Sequence, residues 1–276
     1  MSARSPQKIG LVGLGAIGAA IVRLWGEMQV NTFEPLAALC VRPRQEASAR
    51  ALLHPDTRLV SSVEAMLSLE LDLIIEAAGH EFILQHGRGI LSSGTDLMIL
   101  SVGALAVGDT LTTLQEAAAQ GSCQMILPSG ALGGFDGLRS LASSGSLHAV
   151  TYTSTKPPVA WQNTPAEANI ELHNLVKSVV FFQGSAREAA RLYPKNANLA
   201  AAVALAGVGL DATRVELVAD PHARGNRGTI RAESSIGTLE FSLASTASAQ
   251  SPKTSATTAY SVIAALANSV NRYTFW

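Results

Sequence analysis

Short apolar runs alternate with helix-like patterns along the first half of the chain. Between the runs, apolar residues recur every three or four positions, as they do on one face of a helix. The apolar runs lie at residues 9–12, 36–41, 58–60, 71–76, 97–105 and 123–127, and the helical patterns lie at 19–25, 44–53, 80–89 and 111–121, with another beginning near Ser62. Strands that alternate with helices predict an α/β domain with a parallel, doubly wound sheet.

The pattern changes after Pro128. A glycine-rich connector leads into a helix, and residues 149–155 alternate between apolar and polar as a half-exposed strand does. Further extended segments are expected at 179–182, 214–219, 228–233 and 238–243, an alanine-rich helix near 199–209, a loop at 244–249 and a last helix at 254–270. This mixture predicts a second domain of the α+β type.

The first apolar run is followed at once by Gly13-Leu14-Gly15-Ala16-Ile17-Gly18 and then by a helical pattern. A strand, Gly-x-Gly-x-x-Gly and a helix in this order are typical of a dinucleotide-binding turn. Gly13 permits the tight turn, Gly15 lets a pyrophosphate approach the backbone, and Gly18 lets helix and strand pack closely. The helix start at Ala16 and Ile17 presents free N–H groups to the phosphates. We expect a Rossmann domain; a glycine-rich turn without a ligand is the alternative.

The end of the second predicted strand bears on which dinucleotide is bound. An acidic residue there holds the ribose 2′-OH of NAD, whereas an arginine can meet the 2′-phosphate of NADP. The sequence has Arg42-Pro43-Arg44 and no acid at this point, so we expect NADP to be accepted as well as NAD. Solvated loop arginines are the alternative. After the fourth strand, the small residues Ala77 and Ala78 would let the backbone approach the cofactor.

Composition excludes several classes of protein. The 276 residues are 47% hydrophobic, which allows two domains with large cores. A net charge of −1 with 15% charged residues argues against a nucleic-acid partner. Cys40 and Cys123 lie in no metal-binding spacing, so we expect no metal and no disulfide framework. No apolar run reaches the about 18 residues of a membrane helix, and no signal-peptide pattern occurs, so we expect a cytoplasmic protein without a membrane partner.

Several longer segments form a recognisable set in a fixed order. They are residues 13–18 (GLGAIG), 76–81 (EAAGHE), 100–105 (LSVGAL), 128–138 (PSGALGGFDGL), 154–161 (STKPPVAW), 181–207 and 252–262 (PKTSATTAYSV). Together they resemble the L-aspartate dehydrogenase family over nearly the whole chain. The resemblance implies NAD(P)-dependent oxidative deamination of L-aspartate to oxaloacetate and ammonia through iminoaspartate, and the reverse reductive amination. It also implies a homodimer and a link to pyridine nucleotide biosynthesis.

One position departs from the family pattern at the expected catalytic residue. After an Asp-Pro pair the family has Asn-x-His-x-Ile, and that histidine is its proposed catalytic group. Aligned on Asn226 and Ile230, this chain has Gly228 at the histidine position. Glycine cannot transfer a proton. His222, six residues earlier, could substitute if its loop folds back, although a solvated loop histidine is the alternative.

Other site residues follow from the same resemblance. Lys156 lies in the STKPP segment and could bind a substrate carboxylate or act with a shifted pKa; a surface lysine is the alternative. Asn198 matches a family position that bonds the nicotinamide portion of the cofactor, or else caps a helix. Ser101, Gly103 and Ala131, within matching segments, are expected to contact the cofactor.

These observations predict three functional regions. Residues 1–128 would bind the dinucleotide, 129–250 would form a substrate and dimerisation domain, and 251–276 would form a helix that packs back on the first domain. An L-aspartate dehydrogenase is the leading hypothesis. The alternatives are a divergent amino-acid or imine oxidoreductase with another substrate, and a non-catalytic NAD(P)-binding protein.

Overall fold

A computed structural model of the chain describes residues 8–27, 34–194, 196–248 and 251–270. The chain forms two compact units. Unit 1 comprises Met1–Ala104, Asp109–Pro128 and Ala259–Trp276, and unit 2 comprises Leu105–Gly108 and Ser129–Thr258. Residues 105–108 and 251–258 belong to unit 2.

The sheet of unit 1 is wholly parallel. Its strands are β1 (Ile9–Val12), β2 (Ala38–Cys40), β3 (Arg58–Val60), β4 (Leu73–Glu76), β5 (Asp96–Ile99) and β6 (Met125–Ile126). The spatial order is β3-β2-β1-β4-β5-β6, so the direction of winding reverses between β1 and β4. Every residue of β1 and β4 is buried, as expected where helices cover both faces of a sheet. The predicted Rossmann fold is confirmed.

Six α-helices accompany this sheet among the described residues. They are α1 (Ala16–Glu27), α2 (Glu46–Arg50), α3 (Val63–Leu67), α4 (His80–Ser92), α5 (Thr110–Gly121) and, near the end of the chain, α10 (Thr257–Val270). The Ser62 hydroxyl caps α3, which fits the serine signal in the sequence. The buried side chains Ala259, Val262, Ile263 and Leu266 of α10 join β1 and α1 in one hydrophobic core.

Unit 2 contains a mixed sheet. Its strands are β7 (Leu147–Lys156), β8 (Val179–Ser185), β9 (Arg214–Ala219), β10 (Gly225–Ser234), β11 (Gly237–Ser248) and β12 (Ser251–Ser255). The order is β12-β11-β10-β7-β9-β8, in which β7 and β9 are parallel and the other neighbours antiparallel. The described helices of this unit are α6 (Phe135–Ser143), α7 (Ala166–Asn169), α8 (Ala186–Leu192) and α9 (Asn198–Ala206). The predicted α+β class is confirmed.

Two expectations for the C-terminal region are wrong. Strand β11 continues to Ser248, so residues 244–248 are not a loop. The last helix begins at Thr257, because Ser251–Ser255 forms β12 and pairs with the end of β11. Strand pairing over a distance, rather than local propensity, decides both segments. Residues 249–250 and 271–276 lie outside the described part of the chain.

Candidate active site

The glycine turn of unit 1 has a different constraint at each glycine. Gly13 adopts a φ of +95°, and a Cβ there would lie 2.5 Å from the Ala77 carbonyl oxygen. A Cβ at Gly18 would collide with the Gly13 carbonyl oxygen, whereas one at Gly15 would meet nothing within 4 Å. Gly13 and Gly18 are therefore required by the fold, and the space at Gly15 is open toward a ligand. This arrangement fits the pyrophosphate of a dinucleotide.

A cavity of about 540 Å³ opens beside this turn within unit 1. Its lining combines the glycine turn with the segment after β2, the start of α3, and the start of α4. The residues of the cavity that the sequence predicted as cofactor contacts are Gly13, Gly15, Arg42, Ala77 and Ala78. Ala16, Ile17 and Gly18 belong to the first turn of α1, which begins beside the cavity.

Arginine and glutamate side chains share one part of the cavity. Arg42 and Arg44 follow β2, and the Gln45 amide donates to the Leu14 carbonyl oxygen at 3.0 Å, which ties this segment to the glycine turn. Glu64 of α3 also lines the cavity, a residue that sequence reasoning did not single out. Hydrogen bonds from its own backbone N–H and from Ser62 lower the pKa of the Glu64 carboxyl. Both cationic and anionic residues therefore line this cavity.

Glu76 occupies the carboxyl end of β4 and is fully buried. Its carboxylate accepts hydrogen bonds from the backbone N–H groups of Ala78 and Gly79 and from the N–H and hydroxyl of Ser101. Ser101, predicted as a cofactor contact, thus directs its hydroxyl proton to Glu76. Gly103 follows in a short 3-10 turn, Val102–Ala106.

A row of polar side chains runs along one face of β7 in unit 2. Tyr152, Ser154 and Lys156 are spaced two residues apart, so their side chains share a face of the strand. Tyr152 and Ser154 are buried and joined by a side-chain hydrogen bond. Burial raises the pKa of the Tyr152 hydroxyl to about 12, and the bond to Ser154 acts in the opposite direction. We call these three residues the β7 polar row.

Gly228 faces the β7 polar row from the neighbouring strand. It pairs with Ser154 across the β7–β10 ladder. A Cβ at this position would lie 2.9 Å from the Leu132 Cδ1 methyl and 3.5 Å from the Tyr152 hydroxyl oxygen. The buried Leu132 side chain therefore fills part of the volume that a histidine would need. Its methyl group is the end of a flexible side chain and can move.

Lys156 stands at the end of the β7 polar row in a partly enclosed position. Its Nζ donates to the Asn196 side-chain oxygen at 2.8 Å and lies 4.8 Å from the centre of the Trp161 ring. The indole is itself fixed, because its N–H donates to the Val218 carbonyl oxygen. Burial lowers the pKa of the Lys156 ammonium to about 8. Asn196 was missed from the sequence, although it lies in the segment that resembles the family.

Three further residues of unit 2 were predicted as site residues, and none of them belongs to the β7 polar row. His222 is exposed in the turn after β9, where its backbone N–H bonds the Asp220 carboxylate, so the structure does not bring its side chain into the row. Asn198 is the first residue of α9, and Ala197 takes the cap position. Ala131 is half-buried in the glycine-rich connector, next to Leu132.

The described residues contain neither a group of metal ligands nor a membrane-spanning helix. Over residues 8–27, 34–194, 196–248 and 251–270, no three His, Cys, Asp or Glu side chains are grouped as metal ligands would be. Within the same ranges, no helix combines the length and apolar character needed to cross a bilayer.

The doubly wound sheet, the glycine turn and the adjacent cavity define unit 1 as a dinucleotide-binding domain. Together with the separate mixed-sheet unit, they assign the chain to the two-domain NAD(P)-dependent dehydrogenases. Residues 13–128 match the family model described as the NAD-binding domain of homoserine dehydrogenase, and residues 136–269 match the C-terminal domain of aspartate dehydrogenase.

The sequence identity to known relatives identifies the family of this chain. The chain is 39% identical over 260 residues to an L-aspartate dehydrogenase from Ralstonia pickettii, covering 94% of this chain and 96% of the relative. It is 41% identical to the enzyme of the same name from Pseudomonas aeruginosa, covering 94% and 96%. The chain belongs to the L-aspartate dehydrogenase family, it is an oxidoreductase, and its cofactor is NAD or NADP.

Solved structures agree on the fold. A crystal structure of aspartate dehydrogenase from Thermotoga maritima superposes with a TM-score of 0.75 at 23% identity, covering 99% of this chain and all of that one. A hyperthermophilic archaeal homoserine dehydrogenase in complex with NADPH gives a TM-score of 0.58 at 10% identity, covering 94% and 97%. At these identities the similarity establishes the fold alone.

Proposed function

We propose that the protein is an NAD(P)-dependent L-aspartate dehydrogenase. It oxidises L-aspartate to iminoaspartate, which water converts to oxaloacetate and ammonia, and it runs the reverse reductive amination. The observation that carries the proposal is the identity of 39–41% to curated L-aspartate dehydrogenases over 94–95% of the chain. The test is NADPH oxidation with oxaloacetate and ammonia. Tight cofactor binding without turnover of any amino or oxo acid would contradict it and favour a non-catalytic NAD(P)-binding protein.

The cofactor and the protein perform different parts of this reaction. When bound, the nicotinamide accepts the hydride that leaves the substrate Cα with its electron pair. The protein must hold two carboxylates, accept a proton from the amine, and assist water in adding to the imine. Glycine at position 228 has no side chain for any of these tasks, so the proposal assigns the proton transfer to another residue.

We assign the proton transfer to Lys156. Its pKa of about 8 allows both the charged and the neutral form near neutral pH, as an efficient general acid–base group requires. Asn196 accepts one N–H of the ammonium and fixes its direction, and the Nζ lies over the Trp161 ring. Tyr152 remains protonated because its pKa is raised to about 12, so it is a poor base near neutral pH.

Lys156 could instead hold a substrate carboxylate by charge alone. Two variants separate these roles. Lys156→Arg keeps the positive charge but cannot release its proton near neutral pH, whereas Lys156→Met removes both functions. Loss of kcat with little change in the aspartate KM for Lys156→Arg supports proton transfer. Retention of kcat by Lys156→Arg, with a raised KM for Lys156→Met, assigns the lysine to carboxylate binding instead.

A second candidate function follows from Gly228. The imidazole expected from the family is missing, and Leu132 fills part of the space with a methyl group. A methyl group in place of an imidazole favours an amino acid with a less polar side chain than aspartate. A panel of amino acids assayed with NAD and NADP tests this: a kcat/KM for another amino acid that exceeds that for aspartate replaces the first proposal.

The remaining assignments belong to the same proposal. The cofactor contacts are assigned to Gly13, Gly15, Ala16, Ile17, Gly18, Arg42, Ala77, Ala78, Ser101, Gly103, Ala131 and Asn198, and Ser101 is held in place by its bonds to Glu76. Arg42 supports the use of NADP as cofactor, and ammonia is the nitrogen-containing product. The family resemblance also leads us to expect a homodimer and a cytoplasmic location. Light scattering of the purified protein tests the dimer.

A further inference from the structure

Glu76 is a buried carboxylate at the edge of the dinucleotide-binding sheet. Burying such a group costs free energy unless hydrogen bonds compensate for the lost water. Four donors converge on it: the backbone N–H of Ala78 at 2.8 Å, that of Gly79 at 2.7 Å, and the N–H and hydroxyl of Ser101, both at 2.9 Å. Hydrogen bonds to a charged acceptor are among the stronger ones in proteins.

The four bonds join two loops that are separate in the sequence. Ala78 and Gly79 form the turn between β4 and α4, and Ala78 lines the cavity beside the glycine turn. Ser101 follows β5, the next strand of the sheet. One side chain therefore sets the backbone of both loops at the carboxyl edge, where α/β sheets bind their ligands.

These two loops lie on the far side of the point where the winding reverses. In such folds β1 to β3 form the mononucleotide half that meets the adenosine, and the later strands form the second half. We propose that Glu76 is a positioning residue for the nicotinamide half of the cofactor, acting through the backbone of residues 77–79 and through Ser101. The proposal rests on the NAD(P) cofactor and does not depend on aspartate as the substrate.

The carboxylate suits this task better than its neutral analogue. Oε1 accepts three of the bonds and Oε2 accepts the fourth, so both oxygens act as acceptors. In a glutamine, one oxygen becomes an NH₂ group, which would face an N–H or O–H donor in either orientation. Glu76→Gln therefore keeps the size of the side chain, removes at least one of the four hydrogen bonds and weakens the hold on at least one of the two loops.

Asp96 offers a matched control in the same sheet. Its carboxylate accepts a bond from the Gln124 backbone N–H at 2.8 Å, and so also links neighbouring strands. Asp96 begins β5, at the amino edge of the sheet, away from the cofactor loops. Asp96→Asn thus removes the charge of another carboxylate that links two strands. It leaves the two loops held by Glu76 unchanged.

The experiment compares Glu76→Gln and Asp96→Asn with the wild-type protein by direct titration. NADH is the full cofactor and ADP reports the adenosine half alone. We expect Glu76→Gln to raise the Kd for NADH by about tenfold and to leave the Kd for ADP within about twofold. Hydrogen exchange without ligand should rise in at least one of the two loops, residues 77–79 and 101–103. Asp96→Asn should change neither the two Kd values nor the exchange of these loops.

Three results would overturn the proposal: unchanged NADH affinity in Glu76→Gln, equal losses of NADH and ADP affinity, or unchanged exchange in both loops. If circular dichroism shows that Glu76→Gln does not fold, Glu76→Asp is titrated in its place. It keeps the charge but is one methylene shorter, so the same selective loss for NADH is required. Because binding is measured directly, a failure to oxidise aspartate would leave this test intact.

Discussion

Gly228 lies directly opposite Ser154 on adjacent antiparallel strands, so the position expected to carry the catalytic histidine faces the β7 polar row. The same row ends at Lys156, whose ammonium is held by Asn196. Gly228, where the family resemblance places a histidine, and Lys156, which we propose as the proton-transfer group, thus lie on neighbouring strands of one sheet. The predictions below separate their contributions.

Restoring histidine should matter most when Lys156 is absent. In the wild-type background we expect Gly228→His to raise kcat less than tenfold, because Lys156 already moves the proton. In Lys156→Met, adding Gly228→His should recover about 100-fold, the usual contribution of a general base. The assay is NADPH oxidation with oxaloacetate and ammonia. A gain of equal size in both backgrounds would contradict the assignment of Lys156.

The space around residue 228 gives a further test of the same substitution. A Cβ there lies 2.9 Å from the Leu132 methyl, which must shift to admit an imidazole. We expect Leu132→Ala combined with Gly228→His to be more active than Gly228→His alone, although Leu132→Ala should cost about 2–4 kcal/mol of stability. Leu132→Ala alone, the matched control, should show no gain in kcat. Thermal unfolding and initial rates measure the two effects.

The rate of aspartate oxidation should depend on the ionisation of Lys156. The folded protein lowers the pKa of this ammonium from 10.5 to about 8, so the neutral base forms as the pH rises through about 8. We expect kcat/KM to rise over this range and then level off. The rising limb should be absent in Lys156→Arg. A profile that is identical in both proteins would show that another group titrates.

The same shift predicts how stability varies with pH. Below pH 8 the lysine is charged in both states, and its burial costs folding free energy. Between about 8 and 10.5 the unfolded chain binds more protons than the folded one, so this contribution to stability increases as the pH rises. Urea unfolding of the wild type and Lys156→Met should show a difference that changes across this window. A constant difference would contradict the lowered pKa.

Cofactor choice should depend on the arginines of the cavity. Arg42 and Arg44 can meet a 2′-phosphate, whereas Glu64 can meet a 2′-hydroxyl. We expect Arg42→Ala with Arg44→Ala to raise the KM for NADP about tenfold and to change that for NAD little. Glu64→Gln, the opposite control, should weaken NAD more than NADP. Equal effects on both cofactors would place these side chains away from the 2′ position.

The glycines of the turn should separate folding from binding. A Cβ at Gly15 would meet nothing within 4 Å, so Gly15→Val should fold with a nearly unchanged Tm but lose NAD(P) affinity. Gly18→Val would collide with the Gly13 carbonyl and should lower stability by more than about 2 kcal/mol. Calorimetry and cofactor titration of the two variants check this contrast. Loss of folding in Gly15→Val would contradict it.

The sequence was informative wherever a local signal decides the structure. The alternation of apolar runs and helical patterns gave the parallel sheet, and the spacing of Gly13, Gly15 and Gly18 located the turn. The serine before α3 marked a helix start that the structure confirms. Each of these signals lies within a few residues and reflects backbone geometry. Contacts with distant parts of the chain therefore change the predicted local structure little.

Contacts between distant residues could not be predicted in this way. Asn196 meets Lys156 across 40 positions, and Ser101 meets Glu76 across 25. The side chain that fills the space at Gly228 comes from Leu132, in a different segment. Strand β12 depends on pairing with β11, and residues 254–255 were therefore assigned to a helix instead. No periodicity in the sequence encodes such partners.

The position of α10 in the core of unit 1 has a consequence for synthesis of the protein. Its apolar residues, from Ala259 to Leu266, complete a core that otherwise consists of segments from the first half of the chain. On the ribosome, the N-terminal β-strands emerge long before this helix does. Their apolar surface must stay uncovered, or be shielded by a chaperone, until nearly the whole chain has been translated.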